Sequence, residues 1–130
     1  MVEEPIAFLR AERRSQPART GPLSGQIAQV RFERAELDRI LTLYGKMVAL
    51  GEWRDYAIDF LSEMAAFSVF RRSSEGALFT IEKRPKLRHR QGEYAVLGAN
   101  GLVLKRGHDL AQVLRVFDRK LLKAMAAQPV

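Results

Sequence analysis

Apolar residues recur every three or four positions in residues 34–50, while most charged residues fall on the other side of that stretch. This is the spacing of an amphipathic helix, and Gly51 follows it where a C-terminal cap is expected. Residues 108–126 show the same spacing, with His108 and Asp109 placed to cap the N-terminal end. The pattern therefore predicts two main helices.

A different pattern predicts strands between these helices. In residues 77–83, Phe79 and Ile81 point one way while Thr80 and Glu82 point the other, which is the alternation of a half-buried strand. Other segments share this alternation or are rich in β-branched and aromatic residues. They are residues 26–34, 52–61, 65–72 and the two halves of 94–106. Turn-forming residues separate several of these segments, so neighbouring strands should pair antiparallel.

The strongest local signal is Asn100 followed by Gly101 between two apolar runs. Both residues tolerate positive φ, which the favoured two-residue hairpin turn requires. Such a turn would set Leu97 opposite Leu104 and place one set of residues on the buried face of the sheet. That set is Ala95, Leu97, Ala99, Leu102 and Leu104.

The chain has 130 residues, and 47% of them are hydrophobic. Residues 1–25 hold several prolines and glycines among charged residues, a composition that predicts a flexible N-terminal tail. Residues 26–130 have the length of one domain. We predict a two-layer α+β fold in which a mostly antiparallel sheet of five or six strands packs both main helices on one face.

The formal net charge of +7 is concentrated in one part of the chain. Residues 71–90 hold seven basic side chains and two acidic ones. Their positions near strand ends and in the following loop lead us to expect that folding gathers the basic ones into a polyanion-binding surface for nucleic acid or an acidic protein. The candidate residues are Arg71, Arg72, Lys83, Arg84, Lys86, Arg88 and Arg90.

A second basic surface is expected on the polar side of the C-terminal helix. Its residues are Arg115, Arg119 and Lys123. No recognised nucleic-acid motif appears, and the basic segment at residues 71–90 has no interleaved aromatic platform. A solvated charge run therefore remains an alternative for that segment.

Catalytic and metal chemistry find little support in the sequence. The chain has two histidines and no cysteine, too few for a zinc site of three or four clustered ligands. Asp55 and Asp59 share a strand face, but four residues of strand span about 13 Å, more than the roughly 5–9.5 Å used in two-carboxylate hydrolysis. Neither a nucleophile elbow nor a phosphate-binding glycine loop occurs. We predict no catalytic residue, no metal and no cofactor.

Four strings of the sequence resemble a known family. They are LTLYGKMVALGEWRDYAID, FSVFRR, IEKRPKLRHRQGEYAV and LVLKRGHDLAQVLRVFDR, and they fall within residues 30–120. The chain is similar to an uncharacterised alphaproteobacterial family, domain of unknown function 2794. The resemblance implies a bacterial cytoplasmic protein, and it assigns no catalytic or binding residue.

Two classes of function stay open at this point. The first is a non-catalytic binding module that uses the basic segment on nucleic acid or another polyanion. The second is a protein interaction or assembly module, such as a homodimer formed through a free sheet edge or an exposed helix face. The first residues lack the basic and apolar regions of a secretory signal, and no apolar run approaches the ~18 residues of a membrane span, so a cytoplasmic location is expected.

Overall fold

The computed structural model of the chain describes residues 28–72 and 75–127. In these ranges, helix α1 (Arg34–Ala49) precedes five strands, and helices α2 (Leu110–Leu114) and α3 (Asp118–Ala127) follow them. The strands are β1 (Asp55–Phe60), β2 (Ala65–Phe70), β3 (Phe79–Lys83), β4 (Tyr94–Gly98) and β5 (Val103–Gly107). Short 3-10 turns lie at Pro85–Leu87 and Arg115–Phe117. The tail expected over residues 1–25 lies outside the described residues, as do residues 73–74 between β2 and β3.

The five strands form one antiparallel sheet in the order β1-β2-β3-β4-β5, so each strand pairs with its neighbours in sequence. Its central row runs from Ile58 through Phe67 and Ile81 to Val96, each opposite the next. Buried residues of α1, of α2 and of the following 3-10 turn join this row in a single hydrophobic cluster. The helices therefore cover one face of the sheet, and the α+β prediction is confirmed.

Helix α1 forms as its apolar spacing predicts. Ile40, Leu43 and Met47 are its buried residues, and they form the stripe that packs on the sheet. At its start, the Glu36 side chain turns back to accept the backbone N–H of Glu33 at 2.7 Å, which satisfies a donor that has no partner within the helix. At its end, Gly51 has a φ of +77°, as a C-terminal glycine cap requires.

The predicted edge strand at residues 26–34 is wrong for the residues that the structure describes. Residues 28–33 form no strand, although the Val30 N–H donates to the carbonyl of Leu61 at 2.8 Å. Phe32 is buried in the core, and α1 begins two residues later. The apolar residues of this segment therefore anchor the entry into α1 and do not extend the sheet.

The sequence predicted one continuous C-terminal helix, and that prediction is wrong. A 3-10 turn at Arg115–Phe117 separates α2 from α3, and Phe117 at its end is buried against Trp53 and Phe79, with ring centroids 5.2 Å and 5.0 Å apart. The cap is Asp109, whose Oδ1 accepts the Ala111 N–H at 3.0 Å.

The β4–β5 hairpin turns at Asn100 and Gly101, as predicted, but its loop has three residues and not two. The Gly98 N–H donates to the carbonyl of Leu102 at 2.8 Å, and the Gly101 N–H donates to Gly98 at 2.9 Å. With φ of +82° at Gly101, this is a turn closed by a left-handed glycine. Leu97 is therefore opposite Val103 and not Leu104.

The buried face of this hairpin is also the reverse of the expected one. Tyr94 and Val96 point into the core, whereas Leu97 is half-buried on the opposite face and Leu102 and Leu104 are exposed. The prediction that Leu97, Leu102 and Leu104 share the buried face is wrong, because successive residues of a strand point to opposite faces. The turn decides which residues are paired, whereas packing of the helices decides which face of β4 is buried.

Candidate polyanion-binding surface

The loop between β3 and β4 carries the most basic part of the sequence, and its backbone is fixed by hydrogen bonds. At its base, the Arg84 N–H donates to the carbonyl of Glu93 at 2.7 Å. The 3-10 turn Pro85–Leu87 begins with proline, whose fixed φ suits a first helical turn. The carbonyl of Leu87 then accepts the N–H groups of Arg90 and Gly92 at 3.0 Å and 2.9 Å. Side chains of the basic loop, residues 84–90, thus project from an ordered backbone.

Gly92 closes this loop against β5. Its φ is +120°, and a Cβ at this position would lie 2.6 Å from the backbone of Gly107. Both the conformation and the space require glycine. The glycine contact therefore fixes the position of the basic loop relative to the last strand.

The structure brings together only part of the basic set that the sequence analysis singled out. In the β2–β3 hairpin, Ala65 is opposite Lys83 and Val69 is opposite Phe79, so the segment that begins at residue 71 lies at the other end of the sheet from the basic loop. A five-residue strand separates these two ends by roughly 17 Å. Our expectation that folding gathers all seven residues is wrong: Arg84, Lys86, Arg88 and Arg90 share one end, and Arg71 and Arg72 lie at the other.

Lys83 points into the protein, away from the basic loop that follows it. Its Nζ donates to Glu36 Oε1 at 2.7 Å and to the backbone carbonyl of Arg31 at 2.9 Å. The side chains of Lys83 and Glu36 are only 7% and 12% exposed. The Tyr94 hydroxyl donates to the other carboxylate oxygen of Glu36. These contacts make a buried polar network that ties α1 to β3 and β4.

The titration of this network follows from its contacts. Burial alone would raise the pKa of Glu36, but the hydrogen bonds from Lys83 and Tyr94 prevail and hold that pKa below its ordinary value. Burial first, and then the hydrogen bond to Glu36, raises the pKa of Tyr94. At neutral pH the Glu36 carboxyl is therefore ionised and the Tyr94 hydroxyl is neutral.

Acidic side chains face three of the four basic residues of the loop. Arg84 pairs with Glu82 at 3.1 Å and Lys86 with Glu63 at 3.2 Å. Arg88 makes two hydrogen bonds to Glu93, at 3.3 Å and 3.0 Å. The carboxylates of Glu82 and Glu93 are nearly buried, whereas the Lys86–Glu63 pair is exposed on both sides. The Lys86–Glu63 pair could not be predicted from local sequence, because Glu63 comes from another hairpin.

Two residues of the basic loop extend into solvent without an acidic partner. Arg90 and His89 are exposed, and within the described part of the chain neither forms an ion pair. Lys86 is also accessible, because its pair with Glu63 is exposed. Arg90 and Lys86 are therefore the cations that a phosphate group can approach most readily.

The second basic surface lies beside a groove between α1 and the C-terminal helices. The groove has a volume of about 540 Å³, and Arg115 lines it together with Arg39 and Lys46 of α1. Arg115 is within 3.6 Å of Asp118. In the described residues, Arg39 and Lys46 form no ion pair. The sequence alone does not place Arg39 and Lys46 at this surface, because they belong to a different helix from Arg115, Arg119 and Lys123.

The described ranges contain no group of three or more histidine, cysteine or acidic side chains that could hold a metal ion. None of the helices in these ranges combines the length and the hydropathy that crossing a bilayer demands. Trp53, which could have lined a ligand site, is buried in the core next to Phe117.

Comparison with known proteins identifies a family and no activity. The family model described as "Protein of unknown function (DUF2794)" matches residues 30–114. No curated protein and no solved structure matches the chain. The matched range includes all five strands and the basic loop, whereas Arg115, Arg119 and Lys123 lie beyond its end.

Proposed function

The chain belongs to the DUF2794 family of proteins of unknown function, and from its site geometry we propose that it is a non-catalytic binding module for nucleic acid or another polyanion. The basic loop is the proposed binding surface. A cytoplasmic location and an alphaproteobacterial source, which the sequence resemblance implies, accompany this proposal as predictions.

The observation that supports the proposal is the fixed backbone from which Lys86 and Arg90 extend into solvent. Because the loop is ordered by its own hydrogen bonds, binding a phosphate backbone there costs little conformational entropy. The Lys86–Glu63 pair is 74% and 58% exposed, and such surface pairs contribute only about 0–1 kcal/mol. A phosphate can therefore replace Glu63 as the partner of Lys86.

Arg84 and Arg88 have a different role in this proposal. Their guanidinium groups are bound to the nearly buried carboxylates of Glu82 and Glu93, which cancel most of their charge and fix their positions. We therefore assign phosphate contacts to Lys86 and Arg90, and orientation of the loop to Arg84 and Arg88. Lys83 has no part in this surface because it is buried with Glu36.

The salt dependence of binding to a short duplex DNA of mixed sequence tests this assignment. Each phosphate contact contributes about −0.9 to the slope of log affinity against log salt. Replacing Lys86 and Arg90 with serine should therefore make the slope less steep by about 1.8, and should weaken binding to different sequences equally.

A matched control comes from the other end of the sheet. Arg71→Ser with Arg72→Ser removes the same charge roughly 17 Å away and should change the slope less. Equal effects of the two double variants would show that net charge, and not the loop, governs binding. No binding of the wild type at about 50 mM salt, where such contacts are strongest, would exclude the nucleic-acid proposal.

A second candidate function, a protein interaction or assembly module, is supported by a separate observation. At the β5 edge of the sheet, Leu102, Val103 and Leu104 are 61%, 45% and 42% exposed. Val103 and Leu104 begin β5 and Leu102 precedes it, and exposed apolar surface at an edge strand favours pairing with another strand.

A further inference from the structure

We propose that the groove between α1 and the C-terminal helices binds a small organic anion with an apolar body, of the class of medium-chain carboxylates. This site is separate from the proposed polyanion-binding surface, because none of the residues that line the groove belongs to the basic loop. Its size, its apolar floor and its unpaired cations each favour such a ligand.

The groove is large enough for a small molecule. Its volume is about 540 Å³, and small-molecule sites in proteins typically measure about 300–1,000 Å³. A smaller cavity of about 240 Å³ adjoins it, since Ala35, Arg39 and Ala111 line both. Arg39 therefore lies where the two cavities meet.

Apolar side chains from all three helices form the floor of the groove. They are Leu43 of α1, Leu114 of α2 and Leu121 of α3. Leu43 and Leu114 belong to the hydrophobic core, and Leu121 packs against it while remaining half-buried. An apolar ligand body that covers this floor removes apolar surface from water, which favours binding.

Two cations lie along the α1 side of this floor. Arg39 and Lys46 are seven positions apart, so two turns of helix place them on the same side of α1, about 10 Å apart along its axis. Both residues are exposed, and within the described part of the chain neither forms an ion pair. A negative group in the groove can therefore approach cations that no carboxylate neutralises.

The other charged residues of the groove already have partners. Asp38 is 3.9 Å from Arg34, and Asp118 is 3.6 Å from Arg115. Altogether three basic and two acidic side chains line the groove. This balance suits a ligand with a single negative group, whereas the two carboxylates would repel a polyanion.

The negative group of the ligand binds at Arg39. A guanidinium group can hold a carboxylate through two parallel hydrogen bonds, which an ammonium group cannot do. Lys46 adds attraction without fixing the orientation of the ligand. Arg39 should therefore contribute more to the affinity than Lys46.

Isothermal titration calorimetry of the full chain with decanoate tests the proposal. Decanoate should bind saturably at one site. Butanoate should bind at least roughly tenfold more weakly, because its short chain leaves most of the apolar floor uncovered. Decyltrimethylammonium has the same chain length with the opposite charge, and Arg39 and Lys46 should make its binding at least roughly tenfold weaker.

Substitutions of exposed residues identify the site. Arg39→Gln should raise the Kd for decanoate by roughly tenfold, and Arg39→Lys should recover only part of that loss. Asp118→Asn should lower the Kd, because Arg115 then loses its acidic partner. The matched control is Lys105→Gln, which removes a positive charge at an exposed residue of β5 outside the groove and should leave the Kd unchanged. Thermal melting checks that each variant is folded.

Four results would overturn the proposal. They are the absence of saturable decanoate binding at millimolar concentrations, equal affinity for decyltrimethylammonium, an effect of Arg39→Gln no larger than that of Lys105→Gln, and a Kd that Asp118→Asn does not lower. Replacing Lys86 and Arg90 with serine should weaken DNA binding and leave decanoate binding unchanged. Failure of this proposal is therefore distinguishable from failure of the proposed function.

Discussion

Replacing Lys83 with methionine should destabilise the protein far more than any other substitution of a basic residue in this segment. Methionine has a similar length and keeps the packing of the aliphatic part, but it removes the ammonium group that Glu36 and the Arg31 carbonyl bind. The Glu36 carboxylate would then stay nearly buried with the Tyr94 hydroxyl as its remaining side-chain partner. The variant therefore isolates the loss of the charge.

The expected magnitude follows from the burial of the pair. Removing one partner of a buried ion pair typically costs about 3–5 kcal/mol, because the other charge is left uncompensated. Total free energies of unfolding are about 5–15 kcal/mol for ordinary domains. Lys83→Met should therefore remove a large share of the stability of this domain.

Urea unfolding, followed through the fluorescence of the buried Trp53, measures this change. Lys86→Met is the matched control, since its ion pair with Glu63 is exposed and should contribute no more than about 1 kcal/mol. A second variant that adds Glu36→Leu and Tyr94→Phe to Lys83→Met removes the whole polar network and should recover much of the loss. If Lys83→Met unfolds within about 1 kcal/mol of the wild type, the network is not an important source of stability.

Two further predictions concern the core and the titration of Glu36. Val96→Thr should lower the free energy of unfolding, measured in urea, by about 1–3 kcal/mol because it buries a hydroxyl. Leu97→Thr on the half-buried face should lower it less. The reverse order would contradict the observed register. The depressed pKa of Glu36 implies stability that is present above the ordinary value of about 4.3 and is lost as pH falls through the folded-state value. The free energy of unfolding should therefore decline as pH falls below about 4.3, and Glu36→Gln should make that decline smaller. An identical decline in both proteins would show that other groups cause it.

Local patterns in the sequence were sufficient to predict most elements of the fold. The spacing of Ile40, Leu43 and Met47 defines α1, and the alternation around Phe79 and Ile81 defines β3. These signals are reliable because each depends on residues that are near one another in the chain. The antiparallel pairing of neighbouring strands followed from the short connections between them.

Features that depend on a single residue or on distant contacts could not be predicted in the same way. Asn100 and Gly101 suit both two- and three-residue loops, so they do not decide whether Leu97 is opposite Leu104 or Val103. The face of β4 that is buried depends on long-range packing of the helices. The burial of Lys83 requires Glu36, which is 47 positions away, and no local pattern announces it. For the same reason, the sequence overstated the free charge of the basic loop.

The meander order of the sheet has a consequence for the way the chain folds. Because every strand pairs with its sequence neighbours, the sheet can grow by successive hairpin closures, each of which closes a short loop at little entropic cost. Docking of α1 is different, since it closes the long segment between Glu36 and Lys83. We expect the hairpins to be formed in the transition state and the α1 contacts to form after it. Lys83→Met should therefore accelerate unfolding while leaving the refolding rate nearly unchanged.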